Sequence, residues 1–170
     1  MKKETKQRVL SAVLLLIYVT LLIWIILFKM SFSMSDLTVT RYLNLVPFGE
    51  PLVVNGQTDY SEIIQNALIF LPFGLLLSMV LPRASFLSKL FVIVLASLSL
   101  EVLQYVLAVG RTDITDLIMN SAGGFAGLIV YDLLELVFRS KSRLNKLLNG
   151  LGYVTAILFI GWMIYLFFIA

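Results

Sequence analysis

The chain has 170 residues, of which 60% are hydrophobic and only 14% charged, with a mean hydropathy of +0.98. Soluble domains carry about 45–50% apolar and about 25% charged residues, so a soluble fold of this size could not hide so much apolar surface. Cysteine and histidine are absent, which excludes disulfides, thiolate chemistry and a histidine base or zinc ligand, and the net charge of +3 reads as a topology signal rather than as a nucleic-acid surface.

A crossing helix needs about 20 mostly apolar residues. In chain order, five segments meet that need: 9–28, 63–81, 90–109, 114–138 and 151–170. The first is charge-free and follows the basic run Lys2, Lys3, Lys6 and Arg8. Ser31-Phe32-Ser33 loosely resembles a signal-peptide cleavage site. The apolar run, however, is longer than the usual 7–15 residues of a signal peptide and Lys29 follows it at once, so the segment is expected to stay as a span. The second holds Gln65, Asn66, Pro72 and Ser78, the third Glu101 and Gln104, and the fourth Asp116, Asn120, Asp132 and Glu135. The fifth is free of charge. The expected fold is an all-α, polytopic membrane helix bundle with about five crossings. It divides into a four-helix domain over 9–138, with a long loop over 29–62, and a basic loop plus fifth helix over 139–170.

Basic residues beside spans stay in the cytoplasm. With the N-terminus inside, ten of the 13 lysines and arginines fall on the inner side, and only Lys29, Arg41 and Arg111 fall outside. The protein is therefore expected in a bacterial cell membrane with a cytoplasmic N-terminus and an external C-terminus, surrounded by membrane lipids. No internal repeat supports an inverted-repeat transporter.

Polar residues within a span are costly and usually face the bundle interior. At 1.5 Å per helical residue, Glu101 lies roughly 12 Å below the outer end of its span, Gln104 roughly 8 Å, Asp116 about 3 Å, Asn120 about 9 Å and Asn66 about 4–5 Å, with Glu62 at the mouth. All of them occupy one outer layer. Glu101, Gln104 and Tyr105 are spaced i, i+3, i+4, and Asp113, Asp116 and Asn120 i, i+3, i+7. The second stripe runs on into Gly123, Gly124 and Gly127, and the Gly123–Gly127 pair lets a neighbouring backbone come close. Arg111, in the turn between the third and fourth spans, is the natural counter-charge for Glu101, Asp113 or Asp116.

Plainer readings stand beside these. Asn66, Gln104 and Asn120 each suit interhelical glue, Pro72 suits a kink, and Asp132 and Glu135 suit the inner interface beside the basic loop. The apolar stretch 44–49 is either an ordinary turn or a segment that lies on the surface or re-enters over the polar layer. Glu101 resists dismissal, because an acid that deep marks a functional site by default.

Together these segments resemble a family. Asn44-Leu45-Val46-Pro47-Phe48 looks like an N-x-x-P-F element, and Asn66-Ala67-Leu68-Ile69-Phe70-Leu71-Pro72-Phe73-Gly74 is similar to N-x-x-x-F-x-P-F/L-G. Glu101-Val102-Leu103-Gln104 matches E-x-x-Q, and the segment from Arg111 through Asp116 and Asn120 to Gly123 and Gly124 matches R-x-x-D-x-x-D-x-x-x-N-x-x-G-G, with Asp113 one place early. These four elements, in order over roughly residues 9–138, resemble the VanZ-like membrane proteins. The resemblance implies teicoplanin or lipoglycopeptide resistance for some members. It supplies no reaction.

The first functional reading is an envelope protein with an outward polar pocket formed by Asn66, Glu101, Gln104, Arg111, Asp116 and Asn120. Such a pocket would bind a headgroup or lipid-linked cell-wall precursor, or alter an antibiotic's access to its target. The planar fork of Arg111 suits phosphate or carboxylate, while Glu101 and Asp116 can accept hydrogen bonds from hydroxyls or amines. Asn44, Pro47, Phe48, Pro72, Gly74, Asp113, Gly123 and Gly124 would support the pocket. Three alternatives stay open: a membrane enzyme on a lipid-linked substrate, with two acids and an arginine for acid–base work; a small proton- or cation-coupled carrier; and a structural assembly partner. No catalytic residue, cofactor or metal ligand set is assigned.

Overall fold

A computed structural model describes residues 2–28, 42–49, 52–54, 57–109 and 111–168. The basic residues Lys29 and Arg41, the 31–33 segment and Ala170 lie outside the described residues. The element order is α1 (Lys2–Phe28), β1 (Tyr42–Asn44), β2 (Leu52–Val54), β3 (Gln57–Asp59), α2 (Ser61–Val80), α3 (Phe86–Leu107), β4 (Arg111–Asp113), α4 (Ile114–Phe138) and α5 (Lys141–Phe168). All five helices are long and apolar enough to cross a membrane, and the chain is an all-α, multi-pass membrane protein. Large apolar side chains point away from the bundle, among them Leu16, Leu87, Phe91, Leu136, Val137 and Ile157. In water that surface would be prohibitive; against lipid tails it costs nothing.

α2 and α4 form the centre. Lipid gives no hydrophobic drive for helix association, so close backbone contact must supply it. A Cβ on Gly123 would strike the carbonyl of Ala67, one on Gly127 the carbonyl of Leu71, and one on Gly74 the carbonyl of Gly124. The Gly123–Gly127 pair thus packs on α2, as its spacing predicts, and α2 returns the contact through Gly74. Phe70, Phe73, Ile93, Leu100 and Leu128 are buried together with Leu22 and Leu27 of α1. Phe70 and Phe73 meet edge to face with ring centroids 5.8 Å apart. α2 stays helical through Pro72.

Helix ends follow side-chain chemistry. Ser85 caps α3 by accepting from the Ser88 amide at 3.1 Å, and Asp113 caps α4 by accepting from the Thr115 amide at 2.8 Å. α3 stops at Ala108 and α4 at Arg139, both in the left-handed region (φ 56° and 50°).

Two features depart from the sequence reading, and a third, the burial of Lys89, was not addressed by it. Residues 141–150, expected as loop, are the opening turns of α5. Leu144 is fully buried against the cluster of Leu14, Leu76, Met79 and Tyr131. Asn149 reaches α1, where its Oδ1 accepts from Ser11 Oγ at 3.0 Å and its Nδ2 donates to Gln7 Oε1 at 3.0 Å. These contacts extend the helix beyond its apolar run. Lys89, counted among the inner-side cations, is buried and donates from Nζ to Ser78 Oγ at 3.2 Å. Tyr105 is 44% exposed, so it leaves the stripe of Glu101 and Gln104. The buried face of α3 instead runs Lys89, Ile93, Ser97, Leu100, Glu101 and Gln104.

Candidate functional site

Between α1, α2, α3 and α4, at one end of the bundle, lies a cavity of about 180 Å³. Asn66, Glu101, Gln104, Arg111, Asp116 and Asn120 all line it, with Glu62 and Gln65 added and Ile25, Ile26 and Ile69 forming an apolar wall. Residues drawn from three helices and one turn, with Asn66 of α2 50 and 54 positions from Asp116 and Asn120 of α4, therefore share one cavity.

Each wall residue is placed by a nameable contact. The close α2–α4 approach at Ala67 and Gly123 sits one residue past Asn66 and three past Asn120. Asn66 is thereby pressed against α4, and its Nδ2 donates to Asp116 Oδ1 at 2.5 Å. Gln104 donates from Nε2 to the Ile26 carbonyl at 3.1 Å, tying α3 to α1. Glu101 is 4% exposed, and its Oε2 accepts the Asp113 amide at 3.0 Å.

Arg111 stands where a short parallel pairing holds it. β1 pairs with β4 in the register Tyr42↔Arg111, Leu43↔Thr112 and Asn44↔Asp113. Asn44 Nδ2 donates to Asp113 Oδ2 at 3.0 Å, and Asn44 Oδ1 accepts the Val46 amide at 3.0 Å. This is an Asx turn. The Phe48 amide donates to Thr115 Oγ1 at 3.0 Å, which holds Phe48 at a left-handed φ of 55°. The Arg111 guanidinium lies 4.7 Å from the centroid of the Tyr42 ring and 3.6 Å from Asp113 Oδ2. Asn44 and Asp113 are thus braces for the Arg111 turn, and neither lines the cavity. Pro47 and Phe48 are exposed; Phe48 is anchored by its backbone rather than its ring.

Glu62, placed from sequence at the mouth of the polar layer but not among the pocket residues, and Gln65, not assigned at all, line the cavity, and Tyr42 stacks on Arg111. Glu62, Gln65, Asn66 and Ile69 are spaced i, i+3, i+4, i+7, which puts them on one helix face, so the first two were findable. Tyr42 carried no such signal, because a three-residue strand has no periodicity to read. Asp132 is exposed, and Glu135 pairs with Lys141 at 3.2 Å, far in sequence from the cavity helix ends.

The cavity's chemistry is unbalanced in two ways. Three carboxylates, Glu62, Glu101 and Asp116, face one guanidinium. Gln104 and Asn120 are 4% and 1% exposed, and their carbonyl oxygens, Gln104 Oε1 and Asn120 Oδ1, have no hydrogen-bond partner among the described residues. A buried acceptor without a donor costs about 1–3 kcal/mol. The site therefore offers acceptors to an incoming group that brings N–H or O–H, and Arg111 is the basic side chain in its lining. Among the described residues no three acidic side chains come together closely enough to hold a metal ion.

The VanZ/LLP1 family model matches residues 15–135. Protein VanZ of Enterococcus faecium is 37% identical over 155 residues, spanning 89% of this chain and 91% of that protein. No solved structure matches.

Proposed function

The chain belongs to the VanZ/LLP1 family, and from that membership we propose that it is a bacterial envelope protein whose polar cavity binds the headgroup of an envelope lipid or lipid-linked cell-wall precursor, with teicoplanin resistance as the outcome. One observation carries the reading: six polar residues assigned from sequence line a single cavity, and two of their buried carbonyl oxygens have no donor among the described residues. Hydroxyls, amines or amides of a headgroup satisfy those oxygens and the carboxylates, and a phosphate or carboxylate engages Arg111. Occupying or reshaping that headgroup at the outer surface lowers an antibiotic's access to its target. Expression in a sensitive Gram-positive host is expected to raise tolerance to teicoplanin several-fold and tolerance to vancomycin less. Unchanged teicoplanin tolerance with well-expressed protein in the membrane removes the resistance claim.

The reading needs the cavity to face outward. The ten-to-three division of basic residues supports a cytoplasmic N-terminus and an external C-terminus. Reporters fused after Arg143 are expected to read cytoplasmic and reporters near Gly56 external. An external signal at Arg143 would turn the cavity to the cytoplasm and end the proposal.

A further inference from the structure

A second cavity, of about 490 Å³, runs alongside the first, with walls from α1, α2 and α5. Its lining is apolar, extending from Leu14 and Leu148 to Ile25 and Phe159. Two hydroxyls face it, and both are spent on backbone: Tyr18 donates to the Ile69 carbonyl, and Thr155 to the carbonyls of Leu151 and Gly152 at 3.1 and 3.0 Å. The groove therefore offers nothing to water and suits hydrocarbon.

The groove adjoins the polar cavity. Ile25 belongs to both walls, and Tyr18 of the groove is bonded to Ile69 of the cavity. From Leu14 to Ile25, α1 rises about 16 Å, roughly half of a hydrocarbon core about 30 Å thick. The groove thus runs about half the thickness of the hydrocarbon core, and its Ile25 end lies against the polar cavity. Its α5 wall lies outside residues 15–135, so it is built by a part of the chain beyond the family model's match.

We propose that groove and cavity form one site for an amphiphile, whose polar head occupies the cavity while one hydrocarbon chain lies between α2 and α5. The proposal rests on the headgroup reading above and adds the ligand class: a membrane lipid held by head and chain together. A lipid that merely coats the protein would find its chain in the groove and its head at the cavity mouth. A ligand held at both ends gains the burial of each, at about 0.8 kcal/mol per buried methylene.

The test uses the full chain and phosphatidylglycerol, whose hydroxyls and phosphate match the cavity's acceptors and Arg111. Binding is measured for a long-chain form and for the water-soluble dihexanoyl form. Thr155→Trp fills the groove from an exposed position, and Ile157→Trp is the control on the lipid-facing side, where Ile157 is 68% exposed. Thr155→Trp is expected to weaken the long-chain form roughly tenfold, the equivalent of about two buried methylenes, and to leave the dihexanoyl form unchanged. Ile157→Trp changes neither, and Glu101→Gln weakens both. Equal long-chain binding by wild type and Thr155→Trp, or equal losses in both tryptophan variants, overturns the joint site and leaves the cavity reading standing. If neither form binds, or Glu101→Gln binds both as wild type does, the cavity reading falls and the joint site falls with it.

Discussion

Gly123→Ala is expected to strip folded protein from the membrane, whereas the same substitution at Gly161 leaves the level unchanged. The two changes add one identical methyl group. At Gly123 the new Cβ meets the Ala67 carbonyl, which is helix backbone and cannot swing aside. At Gly161 nothing among the described residues lies within 4 Å. In a helix, alanine is otherwise favoured over glycine by about 0.8–1 kcal/mol, so intrinsic propensity alone predicts a gain at both positions. The α2–α4 contact reverses the sign at Gly123, because overpacking costs about 1–3 kcal/mol even where neighbours can adjust. Gly127→Ala, against the Leu71 carbonyl, repeats the test one turn further along. Gly150→Ala, also with nothing within 4 Å, repeats the control. The measurements are membrane-inserted protein per cell and the melting temperature of the purified protein. Wild-type values for Gly123→Ala and Gly127→Ala would mean that α2 and α4 do not touch as described.

The same contact explains what the sequence reveals of the site. Asn66 and Asn120 lie beside the closest approach of α2 and α4, so the GxxxG spacing that shows the packing also shows which polar residues must meet across it. Depth counted at the helical rise placed Asn66, Glu101, Gln104, Asp116 and Asn120 in one layer, and one cavity holds them. Depth cannot fix azimuth with the same certainty. A helix turns about 100° per residue, so Tyr105, next in line after Gln104, rotates out to 44% exposure while Gln104 stays buried. The β1–β4 pairing was illegible for a different reason. It joins three-residue strands whose bonded partners Asn44 and Asp113 are 69 positions apart, and so short a strand has no pattern that names its partner. The opening of α5 was misread because its basic residues looked like loop; the buried Leu144 and Asn149 at i and i+5 are what hold it as helix. Composition and spacing therefore made visible whatever repeats along a helix. The braces around Arg111, which depend on long-range pairing, needed the fold.

Glu101→Gln is expected to lower binding of a water-soluble headgroup analogue, and any teicoplanin tolerance that depends on it, by roughly tenfold to a hundredfold at equal membrane levels. The range follows from hydrogen bonds to charged groups, worth about 1.5–3 kcal/mol each. The substitution is nearly isosteric, and glutamine still presents one oxygen to the Asp113 amide that Glu101 Oε2 accepts at 3.0 Å. What it removes is the ionisable acid, and it places two N–H donors in a cavity wall whose Gln104 and Asn120 carbonyls lack donors among the described residues. If the polar layer were only packing, the amide would fit about as well as the acid, being nearly the same size and shape. Structural glue therefore predicts unchanged stability and full activity, and a charged binding site predicts stable protein with lost activity. Arg111→Lys asks the second question. It keeps the positive charge but gives up the planar fork and the face-on contact with Tyr42 at 4.7 Å, so a several-fold loss is expected where geometry matters and none where charge alone suffices. Asp132→Asn, on an exposed position near the other end of α4, is expected to bind and protect as wild type does. Full activity in both Glu101→Gln and Arg111→Lys would reduce the polar cavity to helix packing.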